Sequence, residues 1–97
     1  MDNTIGTHRT TVTTDDNNGI GVTRVRYHYT DVVTFDDTDI QLQSNGWHSK
    51  TTKLRMNQTS AQFRLGFKVY QRDFEWYVTH NGKEQYYTDG MTLRRKA

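Results

Sequence analysis

The first clear alternation of apolar and polar side chains begins at Thr23, where Val25, Tyr27 and Tyr29 alternate with Arg24, Arg26 and His28. That two-residue period belongs to a half-buried strand with one aromatic and one basic face. A break at Thr30-Asp31 leads into Val32-Val33-Thr34-Phe35, and Asp36-Asp37-Thr38-Asp39 reads as a polar turn. Ile40, Leu42 and Ser44 then alternate with Gln41 and Gln43. The pattern predicts a three-stranded meander ending at Ser44-Asn45-Gly46, where Asn and Gly suit a left-handed exit.

Beyond the meander the period changes. Residues Thr51 to Leu65 form the helix candidate, with Ser49 or Thr51 as N-cap and Gly66 as the residue past the C-terminal stop. Leu54, Ala61 and Leu65 recur at helical spacing, flanked by Met56 and Phe63, which predicts a broad buried stripe and a polar side holding Lys53, Arg55 and Asn57. Lys68-Val69-Tyr70-Gln71 and Phe74 to His80 read as strands joined at Arg72-Asp73, and Asn81-Gly82 is a strong hairpin signal. A two-residue turn there sets His80 opposite Lys83, Val78 opposite Gln85, Tyr77 opposite Tyr86 and Trp76 opposite Tyr87. Phe74, Trp76, Val78 and Tyr87 then line the core face, and Tyr77 and Tyr86 pair on the other, as an exposed stacking pair or a subunit contact. Asp89-Gly90 turns the chain again before a short strand at Met91-Thr92-Leu93.

The order β-β-β-α-β-β predicts an α+β fold, a small antiparallel sheet with one helix packed on one face. Residues 22–97 make the single α+β domain. Residues 1–21, rich in Thr, Asn, Asp and Gly, read either as a flexible arm or as an edge strand turning at Asn18-Gly19.

A chain of 97 residues with 32% hydrophobic residues has room for one core, and that core is thin. Self-association would cover more apolar surface, so a homo-oligomer is expected. No cysteine is present, which excludes disulfides, thiolate zinc sites and thiol nucleophiles and favours a reducing interior. No apolar run approaches membrane-spanning length and the N-terminus lacks a secretory pattern, so the expected location is the cytoplasm, with no membrane partner. The net charge of +2 is uneven: residues 1–49 hold three arginines against seven aspartates, and residues 50–97 hold ten Lys and Arg against four acids.

The leading candidate site is the loop running into the helix, Asn45 to Lys53. A helix N-terminus offers unpaired amides and the positive end of the dipole, beside hydroxyls and lysines. Trp47, His48, Lys50, Thr51, Thr52 and Lys53 are the predicted ligand-binding residues for a phosphate or carboxylate, with Trp47 stacking on a base or packing on the core; Ser and Thr here serve equally well as plain caps. A nucleic-acid alternative uses Arg24, Arg26, Arg55, Arg94 and Arg95 with the basic end at Lys96, since charge holds a backbone while rings stack on bases. A further alternative is a protein inhibitor presenting Asp36, Asp37 and Asp39 to a basic host surface. Catalysis is not expected: His8, His28, His48 and His80 are widely spaced, and no zincin, nucleophile-elbow or phosphate-loop motif is present. The Asp36-Asp37-Thr38-Asp39 run lacks the glycine and distal Glu of a calcium loop, so no metal and no cofactor is expected.

Ser44-Asn45-Gly46-Trp47 running into Thr51-Thr52-Lys53-Leu54-Arg55-Met56-Asn57-Gln58, then Val69 to Val78, then Asp89-Gly90-Met91, resembles a family of short accessory proteins from tailed bacteriophages. The resemblance covers about residues 24–93 and leaves the Thr-rich N-terminal segment outside. It implies a viral origin and action in the cytoplasm of the infected bacterial host, and leaves mechanism to the residues. Small phage proteins that are neither structural nor enzymatic often blunt host defence, so the expected partners are a nucleotide or other anionic small molecule, a nucleic acid, or a host defence protein.

Overall fold

A computed structural model describes residues 5–17, 19–46 and 48–95. Among them lie eight strands and one helix: β1 (Thr10–Asn17), β2 (Ile20–Tyr27), β3 (Thr30–Phe35), β4 (Asp39–Leu42), α1 (Lys50–Phe63), β5 (Phe67–Arg72), β6 (Glu75–His80), β7 (Lys83–Tyr86) and β8 (Thr92–Arg94). The α+β class with a single helix is as expected. The strands, however, divide into two antiparallel sheets rather than one, in the orders β1-β2-β3-β4-β8 and β5-β6-β7.

The larger sheet begins with the Thr-rich segment, which lies along β2 without interruption from Thr10 opposite Tyr27 to Asn17 opposite Ile20. The β2 strand ends at Tyr27, so Tyr29 falls in the turn and is 93% exposed instead of continuing the apolar face. A bulge between Val25 and Arg26 inserts Val32 as an extra residue, so Val32 and Val33 are both buried although they are adjacent. Val25, Val33, Ile40 and Leu42 are fully buried and make this sheet's share of the core.

The smaller sheet follows the expected register through Asn81-Gly82: Tyr77 faces Tyr86, Val78 faces Gln85 and His80 faces Lys83. Positive φ at both Asn81 (53°) and Gly82 (77°) gives the mirror-image turn that matches strand twist. The preceding turn lies at Asp73-Phe74 rather than Arg72-Asp73. Phe74, expected in the core, is 96% exposed with φ 67°, because it occupies the second turn position and points away from both sheet faces.

Two sheets form because α1 occupies the outer edge of β5. Ser60 Oγ donates to Phe67 O at 2.7 Å and accepts from Phe67 N at 3.0 Å, while Asn57 donates to Val69 O and accepts from Val69 N, each at 2.8 Å. Helix side chains thus act as a neighbouring strand would, satisfying backbone groups that burial would otherwise leave costly.

This seam also corrects the helix face. The residues of α1 that are buried are Thr52, Arg55, Met56, Thr59 and Ser60, whereas Leu54 is 48% exposed and Ala61 is exposed. Arg55, assigned to the polar side, is 6% exposed: its Nε donates to Thr10 Oγ1 at 2.9 Å, its Nη1 to Gln58 Oε1 at 3.1 Å, and its guanidinium lies 5.6 Å from the Tyr27 ring. The helix ends at Arg64, which takes the left-handed conformation (φ 56°) two residues before Gly66.

Candidate functional site

The β2–β3 hairpin tip and the β4–α1 connection face each other across a cleft of about 440 Å³. Tyr27, His28, Tyr29, Thr30 and Val32 form one wall, and Ser44, Asn45, Ser49 and Thr52 form the other. On the first wall His28 takes φ 57° to turn the hairpin, and its ring meets Tyr27 edge-on at 4.4 Å. On the second, Asn45 (φ 55°) and Gly46 (φ 80°) make the left-handed exit that their identities suggest.

The helix N-terminus borders this cleft. Ser49 is the N-cap; its Oγ accepts from Thr52 N at 3.0 Å and meets Thr52 Oγ1 at 2.9 Å. That closes the third amide of the helix, while the amides of Lys50 and Thr51 have no partner within the helix. Lys50 is exposed, Thr51 half-buried and Thr52 buried against the cleft.

The remaining predicted ligand residues lie elsewhere. His48 stacks on Trp76 at 4.5 Å and meets Tyr87 edge-on at 5.5 Å, and Lys53 Nζ lies 5.6 Å from the Trp76 ring. The chain therefore divides the set, with Thr52 on the cleft and His48 and Lys53 on the indole; Trp47 lies outside the described residues. Sequence reasoning included Asn45 in the candidate loop but missed Tyr27 and Tyr29 as cleft residues. The available signal was the break after His28-Tyr29, where alternation stops between two polar turns.

The second wall is held by Asp89. Its Oδ1 accepts from Ser44 N at 2.9 Å, Ser44 Oγ at 2.6 Å and Tyr87 Oη at 2.6 Å, and its Oδ2 accepts from Gly46 N at 2.9 Å. Partial burial alone would raise the Asp89 carboxyl, but the donors from Ser44, Tyr87 and Gly46 outweigh it and hold the pKa at about 2. The Tyr87 hydroxyl is pushed well above its ordinary value, by burial first and by donation to Asp89 second.

Of the arginines of the nucleic-acid alternative, Arg24, Arg26 and Arg94 alternate with the buried Thr23, Val25 and Leu93 and so lie on the outer face of the larger sheet, which Arg55 does not join. Arg24 pairs with Asp15 at 3.0 Å and Arg26 with Asp31 at 2.9 Å, Arg55 is buried under the N-terminal segment, and Arg94 is exposed on β8. Arg95 donates to Asp36 O at 2.8 Å and its guanidinium lies 5.7 Å from the Phe35 ring; Lys96 lies outside the described residues. Of the aspartates offered for protein inhibition, Asp36 accepts from Thr38 N at 2.8 Å and Asp39 N at 2.9 Å, and these bonds lower its pKa, while Asp37 is exposed. On the outer face of the smaller sheet Tyr70, Tyr77 and Tyr86 stack in a row at 5.7 and 5.1 Å. Arg72 lies 4.5 Å from the Tyr77 ring and bonds Glu84 at 2.9 Å, and Tyr70 Oη donates to Glu84.

No helix among the described residues is long and apolar enough to cross a membrane. No curated protein and no solved structure matches the chain. The family model described as Kyanoviridae Gp96 protein matches residues 2–94, which takes in the Thr-rich segment that the resemblance left out. With all but the ends of the sequence matched, the chain belongs to the Kyanoviridae Gp96 protein family, a family of phage proteins.

Proposed function

We propose that this phage protein is a non-enzymatic binding module that takes a flat, phosphate-bearing ligand, such as a nucleotide signal of host defence, into the cleft between the β2–β3 tip and the start of α1. The observation that carries this reading is the cleft itself: about 440 Å³ flanked by Tyr27 and Tyr29 and bordered by the helix cap residues Ser49 and Thr52. Aromatic walls suit a ring, and amides at a helix N-terminus suit an anion. Lys50 supplies the ammonium group, since Lys53 is engaged with Trp76. Sequestering a nucleotide needs no reaction, and the separate placement of His28 and His48 supports a binding role over acid–base work.

Calorimetry against mononucleotides, cyclic dinucleotides and ADP-ribose derivatives tests the proposal. Tyr29 and Lys50 are both exposed, so Tyr29→Ala and Lys50→Ala should leave the fold intact while each weakens binding about tenfold, the equivalent of ~1.4 kcal/mol. Absence of heat with every nucleotide, or binding indifferent to both substitutions, overturns it.

A further inference from the structure

On the outer face of the larger sheet a second depression, of about 480 Å³, opens beside the cleft. Arg24, Asp31, Thr34, Gln41 and Gln43 line it, and Tyr29, Thr30 and Asn45 line both hollows. The depression sits on a row that crosses all five strands: Thr13 is opposite Arg24, Arg24 opposite Thr34, Thr34 opposite Gln41, and Gln41 opposite Thr92. The adjacent Val25, Val33, Ile40, Leu42 and Leu93 are buried, so strand alternation turns this row outward.

Charge on this face is balanced. Arg24 pairs with Asp15 at 3.0 Å, Arg26 with Asp31 at 2.9 Å, and Arg94 stands opposite Asp39 in the β4–β8 register. A polyanion gains little from cations that already face carboxylates, since its affinity comes from Lys and Arg placed against phosphates. A protein partner would need several large anchors at the centre of the patch, and among the described residues lining the depression only Tyr29 is aromatic.

The polar groups call for a ligand that both donates and accepts. Arg24 and the side-chain amides of Gln41, Gln43 and Asn45 donate, while Asp31, the amide oxygens and the Thr34 hydroxyl accept. A phosphodiester only accepts, whereas a sugar hydroxyl does both. Three of these side chains are already held: Arg24 through Nη1, Asp31 through Oδ1, and Gln43 through Oε1, which accepts from Asn45 N at 3.0 Å. Each has a further polar atom outside that bond, so a ligand meets groups whose rotamers are restricted beforehand. The Tyr29 ring, 93% exposed, offers a flat surface to the C–H face of a pyranose. Successive members of the row lie one strand spacing apart, about 4.8 Å, close to the repeat of an extended pyranose chain.

We infer that the outer face of the five-stranded sheet binds a neutral, extended oligosaccharide, laid across the strands along Arg24, Thr34 and Gln41 with one ring against Tyr29. Thr34 and Gln41 do not line the first cleft, so this site is tested apart from nucleotide binding.

An NMR titration of the isotope-labelled full chain with cellohexaose and with chitohexaose provides the test. Signals should move at Arg24, Thr34 and the side-chain amides of Gln41 and Gln43, equally at low and high salt. Maltohexaose, whose chain curves, should bind more weakly. Thr34→Val removes a hydroxyl and keeps the branched shape, and Gln41→Ala truncates an exposed residue, so both should melt with the wild type. Each should weaken hexaose binding about five- to tenfold. Nucleotide calorimetry should be unchanged in Gln41→Ala, so failure of one site leaves the other standing. Absence of shifts with both extended hexaoses overturns the inference, as does wild-type affinity in both variants or equal affinity for maltohexaose. A single-stranded oligonucleotide that binds this face in place of the hexaoses, and weakens with salt, overturns it as well.

Discussion

Replacing Asp89 by Asn keeps the side-chain shape and removes the charge from the point where three segments meet. The carboxylate accepts four hydrogen bonds, from Ser44 N, Ser44 Oγ, Tyr87 Oη and Gly46 N. An amide in its place sets an NH₂ group against either the Gly46 amide or the three donors on the other side, and a donor facing a donor costs about 1–2 kcal/mol. The loss of charge adds to this. The difference between an ordinary aspartate near 3.8 and the folded value of about 2 is worth about 2.5 kcal/mol at full strength, and the group's partial exposure reduces that to about 1 kcal/mol. The expected total is about 2–3 kcal/mol at pH 7, a fall in Tm of roughly 10–20 °C for a domain of this size. An aspartate held below its unfolded pKa stabilises the fold above about pH 4 and loses that contribution as pH falls toward 2. Thermal melts of wild type and Asp89→Asn at a series of pH values between about 2 and 7 should therefore converge at the acid end. A variant melting within about 2 °C of wild type at pH 7 would refute the clamp, as would a gap between the two that stays constant with pH.

Met56→Ala should cost about 2–5 kcal/mol and Leu54→Ala less than about 1, since Met56 is fully buried and Leu54 is 48% exposed; denaturant unfolding of the pair measures the orientation of α1, and equal costs would contradict it. Phe74→Gly should stabilise by about 0.5–1 kcal/mol, because φ 67° strains a bulky residue and no core contact is lost at 96% exposure; a lower Tm would show that the ring does packing work. The Glu84 carboxyl should titrate below the ordinary glutamate range, held there by donation from Tyr70 first and Arg72 second, so Tyr70→Phe should raise its pKa in an NMR titration. A titration unchanged by Tyr70→Phe would remove the contact.

What the sequence made legible was local. The Asn81-Gly82 pair dictates a two-residue mirror-image turn, and from that turn alone the whole β6–β7 register follows, including Tyr77 opposite Tyr86. The alternation from Thr23 to Tyr27 likewise shows in the burial of Val25 and Thr23 against the exposure of Arg26. The helix face was illegible because hydropathy misassigns it: Ser60 and Asn57 face β5 to complete its hydrogen bonds, Thr59 bonds back to Arg55 O at 2.7 Å, and Arg55 is buried through its hydrogen bonds to Thr10 and Gln58 and its contact with the Tyr27 ring. A polar residue satisfied by a distant backbone looks, in sequence, like a solvated one. The division into two sheets was hidden for the same reason, since it depends on side chains substituting for a strand. Of the candidate site, the loop and cap were readable, while the facing wall at Tyr27 and Tyr29 required knowing which hairpin folds beside them.

The segments through which the chain resembles short phage proteins meet behind the cleft, and that changes what the resemblance means physically. Asp89 ties down Ser44 and Gly46, Gly90 N donates to Leu42 O at 2.8 Å, Asn57 bridges to Val69, and His48 and Lys53 cover Trp76. These contacts fix the β4–α1 connection against both sheets, and Asn45, on the cleft wall, lies between the two residues that Asp89 anchors. On the opposite wall His28 N donates to Arg9 O at 2.8 Å, while Tyr29, 93% exposed, projects from a two-residue turn whose position follows from the β2–β3 pairing. Under the proposed binding role, the clamped wall would hold the anion in a fixed place while Tyr29 on the projecting wall would select the ring. Substitutions behind the clamp should therefore alter stability and binding together, whereas substitutions at Tyr29 should alter binding alone.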